Sequence, residues 1–136
     1  MSYDLLVFDH ANPPKTRQEF MVWYERFIKW EEQRDYDSPE GITPALCSWF
    51  EGMREVFPPM NGEFAPTDEQ LCADESLESR LTDYSIGAEG IYAAFAWSQA
   101  EKAYQLMRDL AIKYKVGFFD VSGRDGEILL PDGSRL

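Results

Sequence analysis

The sequence predicts an α+β protein in which three helices pack on a mostly antiparallel sheet, giving a sandwich of two layers. Two kinds of pattern favour this class. Apolar residues recur at three- and four-residue steps in three stretches, as they do in amphipathic helices. Five short apolar runs have the length of strands, and the last four form two pairs joined by glycine-bearing turns, which indicates β-hairpins. The predicted order is β-α-α-β-β-α-β-β, in a single domain spanning residues 1–136.

The first half of the chain is predicted as one strand followed by two helices. Residues 5–8 (LLVF) form a strand-length apolar run between two aspartates. Thr16 and Glu19 have the spacing of a capping box, so the first helix is predicted over about residues 17–33. Its apolar face consists of Phe20, Trp23, Tyr24, Phe27 and Trp30. The second helix begins at Thr43-Pro44, with Thr as N-cap and Pro in the first turn, and ends before Pro58.

The stretch at about 60–82 is predicted as a long acidic loop. It has no clear apolar period, and its acidic residues are accompanied by a single basic residue, Arg80. Loops of this length inside compact domains are usually functional or mobile.

The second half of the chain is predicted as two hairpins with a helix between them. Residues 83–86 and 91–97 flank the turn GAEG, and residues 118–121 and 127–130 flank the turn GRDG. Ser98 and Glu101 are read as the start of the third helix, and Gly117 as its stop.

The composition describes a folded, strongly acidic chain. Apolar residues make up 44% of it, which argues against disorder. Twenty-five acidic residues against 13 basic ones give a formal charge of −12, which disfavours nucleic acid and suits a basic protein partner. Two cysteines without a CxxC pattern fit a reducing compartment, and no signal peptide or membrane span is recognisable. We therefore expect a cytoplasmic protein.

Three local patterns that could carry chemistry are better explained as structure. His10 beside Asp9 lacks an evident nucleophile, so a loop histidine is the favoured interpretation. Residues 120–127 (DVSGRDGE) resemble a calcium loop only superficially, because Arg124 and Asp125 occupy its fifth and sixth places. The turn GAEG has no following Lys-Ser/Thr for a phosphate. The sequence predicts no catalytic residue, no metal site and no cofactor.

Two acidic segments are the candidate binding site. Charge runs are most often solvated surface, but these two could also form a negative dock for a basic protein, with an aromatic anchor in each. The predicted partner-binding residues are Glu31, Glu32, Asp35, Tyr36, Asp37 and Glu40 in the first segment, and Phe64, Asp68, Glu69, Asp74 and Glu75 in the second.

Five strings together resemble a family of small, acidic bacterial cytoplasmic proteins without an assigned activity. They are SYDL at 2–5, FPPMNG at 57–62, TDYSIG at 82–87, IYAAFAWS at 91–98 and GFFDVS at 117–122, and they extend over nearly the whole chain. The resemblance implies a bacterial source and a cytoplasmic location. Small acidic bacterial proteins of this type often serve as immunity proteins that bind and block a toxin domain. By that analogy, a basic toxin domain is the expected partner.

Two alternatives to a binding protein remain open at this stage. One is an enzyme or small-molecule-binding protein with a site between the sheet and the 60–82 loop, using His10, Tyr92 or Asp120. The other is a homo-oligomer that pairs through a sheet edge.

Overall fold

A computed structural model describes residues 2–10 and 12–136. It contains the strands β1 (Tyr3–Phe8), β2 (Asp83–Ile86), β3 (Gly90–Phe95), β4 (Gly117–Phe119) and β5 (Ile128–Leu129). The α-helices of the described residues are α1 (Arg17–Phe27), α2 (Pro44–Arg54), α3 (Asp68–Ala73), α4 (Leu77–Arg80) and α5 (Ala100–Tyr114). A 3₁₀ turn, Trp97–Gln99, precedes α5.

The five strands form one antiparallel sheet in the order β2-β3-β1-β4-β5. Both predicted hairpins are present: Ile86 pairs with Ile91 in the first, and Phe119 pairs with Ile128 in the second. The first strand of the sequence lies at the centre, between the two hairpins. The α+β class and the antiparallel sheet are therefore confirmed.

The helices lie on both faces of the sheet, so the molecule has three layers and not the expected two. On one face, Leu5 and Val7 of β1 pack in a cluster with residues of α2 and α5. On the other face, Leu6 and Phe8 pack in a second cluster with residues of α1. The four consecutive apolar residues of β1 are all fully buried. A continuous apolar run is typical of a strand covered on both faces, which is the physical reason for the third layer.

The first helix is shorter than predicted, because it ends at Phe27 instead of near residue 33. Trp30 adopts a left-handed backbone conformation with φ of 54°, which turns the chain away from the helix axis. Its ring then packs edge-on against Phe27 and Tyr92, with centroid distances of 5.3 and 5.9 Å. The apolar stripe continues past the helix because Trp30 packs from the following turn.

The predicted caps of the first two helices are present, whereas that of the third is not. The Thr16 hydroxyl accepts from the Glu19 N–H at 3.1 Å, and the Thr43 hydroxyl accepts from the Leu46 N–H at 3.3 Å. The α5 helix begins without a side-chain cap, directly after the 3₁₀ turn. It ends at Tyr114 and is followed by Lys115, which is left-handed with φ of 58°, and Gly117 lies in β4. A Cβ at Gly117 would stand 2.3 Å from the buried Phe8 ring, so this glycine permits a close approach and does not end the helix.

The segment at 60–82 contains two short helices, α3 and α4, in place of a continuous loop. Thr67 and Gln70 form a complete capping box at the start of α3, with hydrogen bonds of 3.2 and 2.9 Å. Neither helix contributes a buried residue. The segment is thus locally ordered, and its two helices lie outside the core, whereas Phe64 packs against the core and Thr82 is buried.

Both edges of the sheet are covered by other parts of the chain. Along β2, the Thr82 N–H donates to the Pro58 carbonyl at 3.0 Å and the Ile86 N–H to the Tyr36 carbonyl at 2.7 Å. Along β5, the Leu136 N–H donates to the Ile128 carbonyl at 3.1 Å. These contacts occupy backbone groups that an edge strand would otherwise offer to a second copy of the chain. In the described residues, no helix is long and apolar enough to cross a membrane.

Candidate functional site

The two acidic segments, separated by 19 residues in sequence, both flank strand β2. The first contacts it through the Tyr36 carbonyl, and the second begins where Met60 donates to the Thr82 carbonyl at 2.9 Å. The segments also meet each other, because a Cβ at Gly62 would lie 2.7 Å from the Asp37 carbonyl oxygen. We call residues 31–40 and 60–82 together the acidic edge.

Carboxylates of the acidic edge have very few basic neighbours. Among the residues that the structure describes, Asp74 is the one predicted acid with an ion pair, 3.1 Å from Arg80. Asp37 is half-buried, and the other predicted acids are exposed. Arg34, the basic residue of the first segment, donates instead to the backbone carbonyls of Ser38 and Glu40, at 2.9 and 2.7 Å. The negative charge of this edge is therefore left largely uncompensated within the chain.

Asp35 and Asp37 show the mutual influence of neighbouring carboxyl groups. The Asp35 Oδ1 accepts from the Asp37 N–H at 3.2 Å. A hydrogen bond between the two carboxyl groups lowers the pKa of Asp35 and raises the pKa of Asp37. A cation placed beside this pair would favour the doubly ionised form.

Two of the predicted acids also have structural roles. Glu32 accepts from the Ala88 N–H at 2.9 Å through Oε1, and its own N–H donates to the Tyr36 hydroxyl at 2.7 Å. The first bond ties the first acidic segment to the β2–β3 turn, and the second lies within the segment. Asp74 accepts from the Ser76 N–H at 3.0 Å as well as from Arg80.

The predicted aromatic anchors are packed more tightly than a free anchor would be. Phe64 lies edge-on to Phe50 and carries the Arg54 guanidinium 3.7 Å above its ring. Tyr36 is edge-on to Trp30, with 5.3 Å between ring centroids. Trp30, which directly precedes the first segment, is 36% exposed. The sequence pattern had placed Trp30 on the buried face of a helix, so this candidate anchor was missed.

A cleft opens beside the acidic edge, between α1 and the β2–β3 turn. It has a volume of about 410 Å³. Its lining consists of Trp23, Arg26, Phe27, Glu31, Glu32, Ala88 and Glu89. The rings of Trp23 and Phe27 stack with centroids 4.9 Å apart and an interplanar angle of 16°. We call this the α1 cleft.

The α1 cleft owes its shape to two glycines. A Cβ at Gly87 would lie 2.5 Å from both the Phe27 ring and the Glu32 carboxylate, and one at Gly90 would lie 3.3 Å from Trp23. Aromatic faces beside carboxylates suit a guanidinium or ammonium group. Glu89 belongs to this arrangement and was not predicted, because only the tertiary structure brings the turn to the end of α1.

No family model, curated protein or solved structure matches the chain.

The residues suggested for an enzymatic alternative lie in three different surroundings. His10 packs against Trp23 at 4.2 Å between ring centroids, and burial lowers its pKa. The Tyr92 hydroxyl donates to the Asp4 carboxylate, and burial first, then that hydrogen bond, raises its pKa. Asp120 lies in a separate cavity, which includes neither of the other two. The structure does not bring these three side chains together.

The cavity around Asp120 lies where the β4–β5 loop meets α5 and the start of α1. It has a volume of about 390 Å³. It is lined by Arg17, Tyr104, Asp120, Gly123, Arg124, Asp125, Gly126, Glu127, Ile128, Arg135 and Leu136. Glu127 accepts from the Tyr104 hydroxyl at 2.6 Å and pairs with Arg135 at 3.0 Å. We call this the Asp120 cavity.

Asp120 has an unusual environment for a carboxylate. Its Oδ1 is buried without a hydrogen-bond partner in the described residues. Burial, followed by the charge of Glu127, raises the pKa of Asp120, although the Gly123 backbone hydrogen bond opposes this. Burial and the same aspartate raise the pKa of the nearby Tyr3 to about 12.

Other candidate chemistry is sparse in the part of the chain that the structure describes. Cys47 is half-buried, Cys72 is exposed, and both are free thiols. Residues 2–10 and 12–136 contain no group of three or more His, Cys, Asp or Glu side chains that could hold a metal ion.

Proposed function

We propose that this protein is a cytoplasmic binding protein whose acidic edge docks on a basic surface of another protein. Its most concrete form is an immunity protein that occludes a basic bacterial toxin domain. The observation that supports this is the uncompensated charge of the acidic edge, where Asp74 alone of the nine predicted acids has an ion pair in the described residues. Clustered like charges repel one another in the free protein, and a cationic partner removes that repulsion on binding.

The charge distribution favours fast and selective association. A formal charge of −12 attracts a basic partner over a distance of several ångströms and repels acidic proteins. Exposed acids at the rim of an interface act mainly on the association rate. The acidic edge would therefore determine how rapidly the partner is captured.

The α1 cleft supplies a place where a basic side chain of the partner can be held. Glu31 and Glu89 are both exposed and have no ion pair in the described residues. A guanidinium entering the cleft would meet the Trp23 ring and a carboxylate together, which is a favourable setting for arginine. The cleft would set the orientation of the complex, whereas the acidic edge would set its rate of formation.

Kinetic measurements on two matched triple variants test this proposal. Glu31→Gln, Asp35→Asn and Glu69→Gln together remove three charges from the acidic edge. Glu25→Gln, Glu101→Gln and Asp109→Asn remove three charges from exposed positions on α1 and α5. The partner is first captured on the wild-type protein from a lysate of the native cells, identified and purified. We expect the first variant to slow association about tenfold or more and the second by less than about threefold.

Association and dissociation rates are measured by surface plasmon resonance at two salt concentrations. Faster association at low salt than at high salt is expected for the wild type. Equal association rates for the two triple variants, or a partner whose binding surface is not basic, would contradict the proposal.

A further inference from the structure

The Asp120 cavity combines acidic and basic groups in a way that the acidic edge does not. The chain has eight arginines, and Arg17, Arg124 and Arg135 line this one cavity. Arg108 is also close, with its Nε 3.7 Å from the Glu127 carboxylate. Half of the arginines of a strongly acidic protein are thus gathered around one carboxylate-bearing cavity.

The acidic component of the cavity lacks a donor. Asp120 Oδ1 is buried without a partner in the described residues, and its carboxyl group lies against the Gly123 backbone. A Cβ at Gly123 would stand 2.3 Å from Oδ2, so the loop is built closely around this carboxylate. A buried carboxylate is costly unless it receives hydrogen bonds. An ammonium group satisfies such a carboxylate, because it brings three N–H donors and the opposite charge.

The arginines of the cavity have N–H donors that remain free to bind a ligand. Arg17 uses one Nη2 bond on the Gly126 carbonyl at 2.8 Å, and Arg135 approaches Glu127 at 3.0 Å. Arg124 is exposed and has no ion pair in the described residues. Each guanidinium carries five N–H donors, so several remain for a carboxylate.

We propose that the Asp120 cavity binds a small zwitterion of the amino-acid type, with its ammonium group at Asp120 and its carboxylate at the arginines. The volume of about 390 Å³ is in the range of small-ligand sites. Each charged end of such a molecule meets the opposite charge, whereas a simple amine or a simple acid satisfies half of the site. This proposal is independent of the protein partner, because its residues lie outside the acidic edge and the α1 cleft.

To test this, the ¹⁵N-labelled protein is titrated with each of the twenty free L-amino acids in turn. The chemical shifts of the Gly123 and Gly126 amides are monitored by NMR. Ethylamine and acetate serve as probes that carry only one of the two charges. We expect at least one amino acid to give saturable shifts below about 20 mM, with binding about tenfold weaker or worse for ethylamine and acetate.

Two variants and one control make the outcome decisive. Asp120→Asn keeps the shape of the side chain and should weaken binding at least about tenfold, and Arg124→Gln should do the same from the other end of the ligand. Glu101→Gln, on the exposed side of α5, should leave binding unchanged. The absence of saturable shifts with all twenty amino acids would overturn the proposal. So would binding of acetate as tight as that of the best amino acid, or wild-type affinity in both cavity variants.

Discussion

At the scale of single residues, the most informative side chains are those whose polar atoms are buried. Asp120 has a buried carboxylate oxygen without a partner in the described residues. In contrast, the Tyr84 hydroxyl is buried but donates to the Phe57 carbonyl at 2.7 Å. The Asp120 carboxylate destabilises the fold when ionised, whereas the Tyr84 hydroxyl links β2 to Phe57 in the turn that follows α2. Buried polar groups that remain unpaired are the ones that call for a functional explanation.

Replacing Asp120 by Asn should stabilise the protein in a pH-dependent manner. The folded-state pKa of Asp120 is raised above its ordinary 3.8, chiefly by burial. Its contribution to stability is therefore present below about pH 3.8 and is lost as the pH rises through the raised value. Asn does not titrate, so the free energy of unfolding of Asp120→Asn should increase relative to that of the wild type as the pH rises from about 3 to 7.

Urea unfolding of both proteins across this pH range measures the difference. Asp132→Asn is a useful contrast, because hydrogen bonds from Ser134 lower the pKa of Asp132. The free energy of unfolding of Asp132→Asn should therefore fall relative to that of the wild type as the pH rises. A difference between wild type and Asp120→Asn that is constant with pH would show that Asp120 is not perturbed.

At the scale of elements, helix ends decide how the layers connect. The α1 helix ends at Phe27 and the chain turns at Trp30. The α5 helix ends at Tyr114 and the chain turns at Lys115; both turning residues have positive φ. A left-handed conformation is costly for residues with a Cβ, and glycine adopts it freely. Trp30 offsets this cost through its packing, but Lys115 is exposed and has no comparable contact.

Lys115→Gly should therefore stabilise the protein by about 0.5–1 kcal/mol, because glycine relieves the left-handed strain at the end of α5. Lys113→Gly is the matched control: Lys113 lies inside the same helix and is also exposed, and the change should destabilise by about 1 kcal/mol. Urea unfolding followed by circular dichroism gives both values. Destabilisation by Lys115→Gly similar to that of the control would contradict this account.

At the scale of the whole molecule, charge is the dominant feature. In the described residues the ion pairs involve Arg80, Arg108 and Arg135 with two carboxylates, Asp74 and Glu127. The other 23 of the 25 acidic side chains are without an ion pair there. Self-repulsion of this kind destabilises the compact state and is weakened by salt.

Raising NaCl from about 0.01 to 0.5 M should therefore increase the free energy of unfolding, because the screening length falls well below the size of the molecule. Urea is the suitable denaturant because it is uncharged. The triple variant Glu31→Gln, Asp35→Asn, Glu69→Gln should gain less from salt than the wild type. A stability that is unchanged or lower at high salt would show that the acidic groups do not repel one another appreciably.

The sequence by itself determined the class of the fold, both hairpins, and the starts of the first two helices. These features depend on interactions between residues close in the chain: apolar periodicity, threonine hydroxyls at helix starts, and glycines in turns. The capping box at Thr67 and Gln70 was also readable, and it would have placed α3 inside the acidic segment. The acidic composition likewise required no structure.

Tertiary structure alone decided the strand order, the placement of α1 on the opposite face, and the meeting of the two acidic segments along β2. It also gathered Glu89 into the α1 cleft and four arginines around Asp120. These arrangements join residues far apart in the chain. Their positions depend on which helix covers which face of the sheet. The local sequence pattern predicts that a face is buried, but it does not determine which element covers that face.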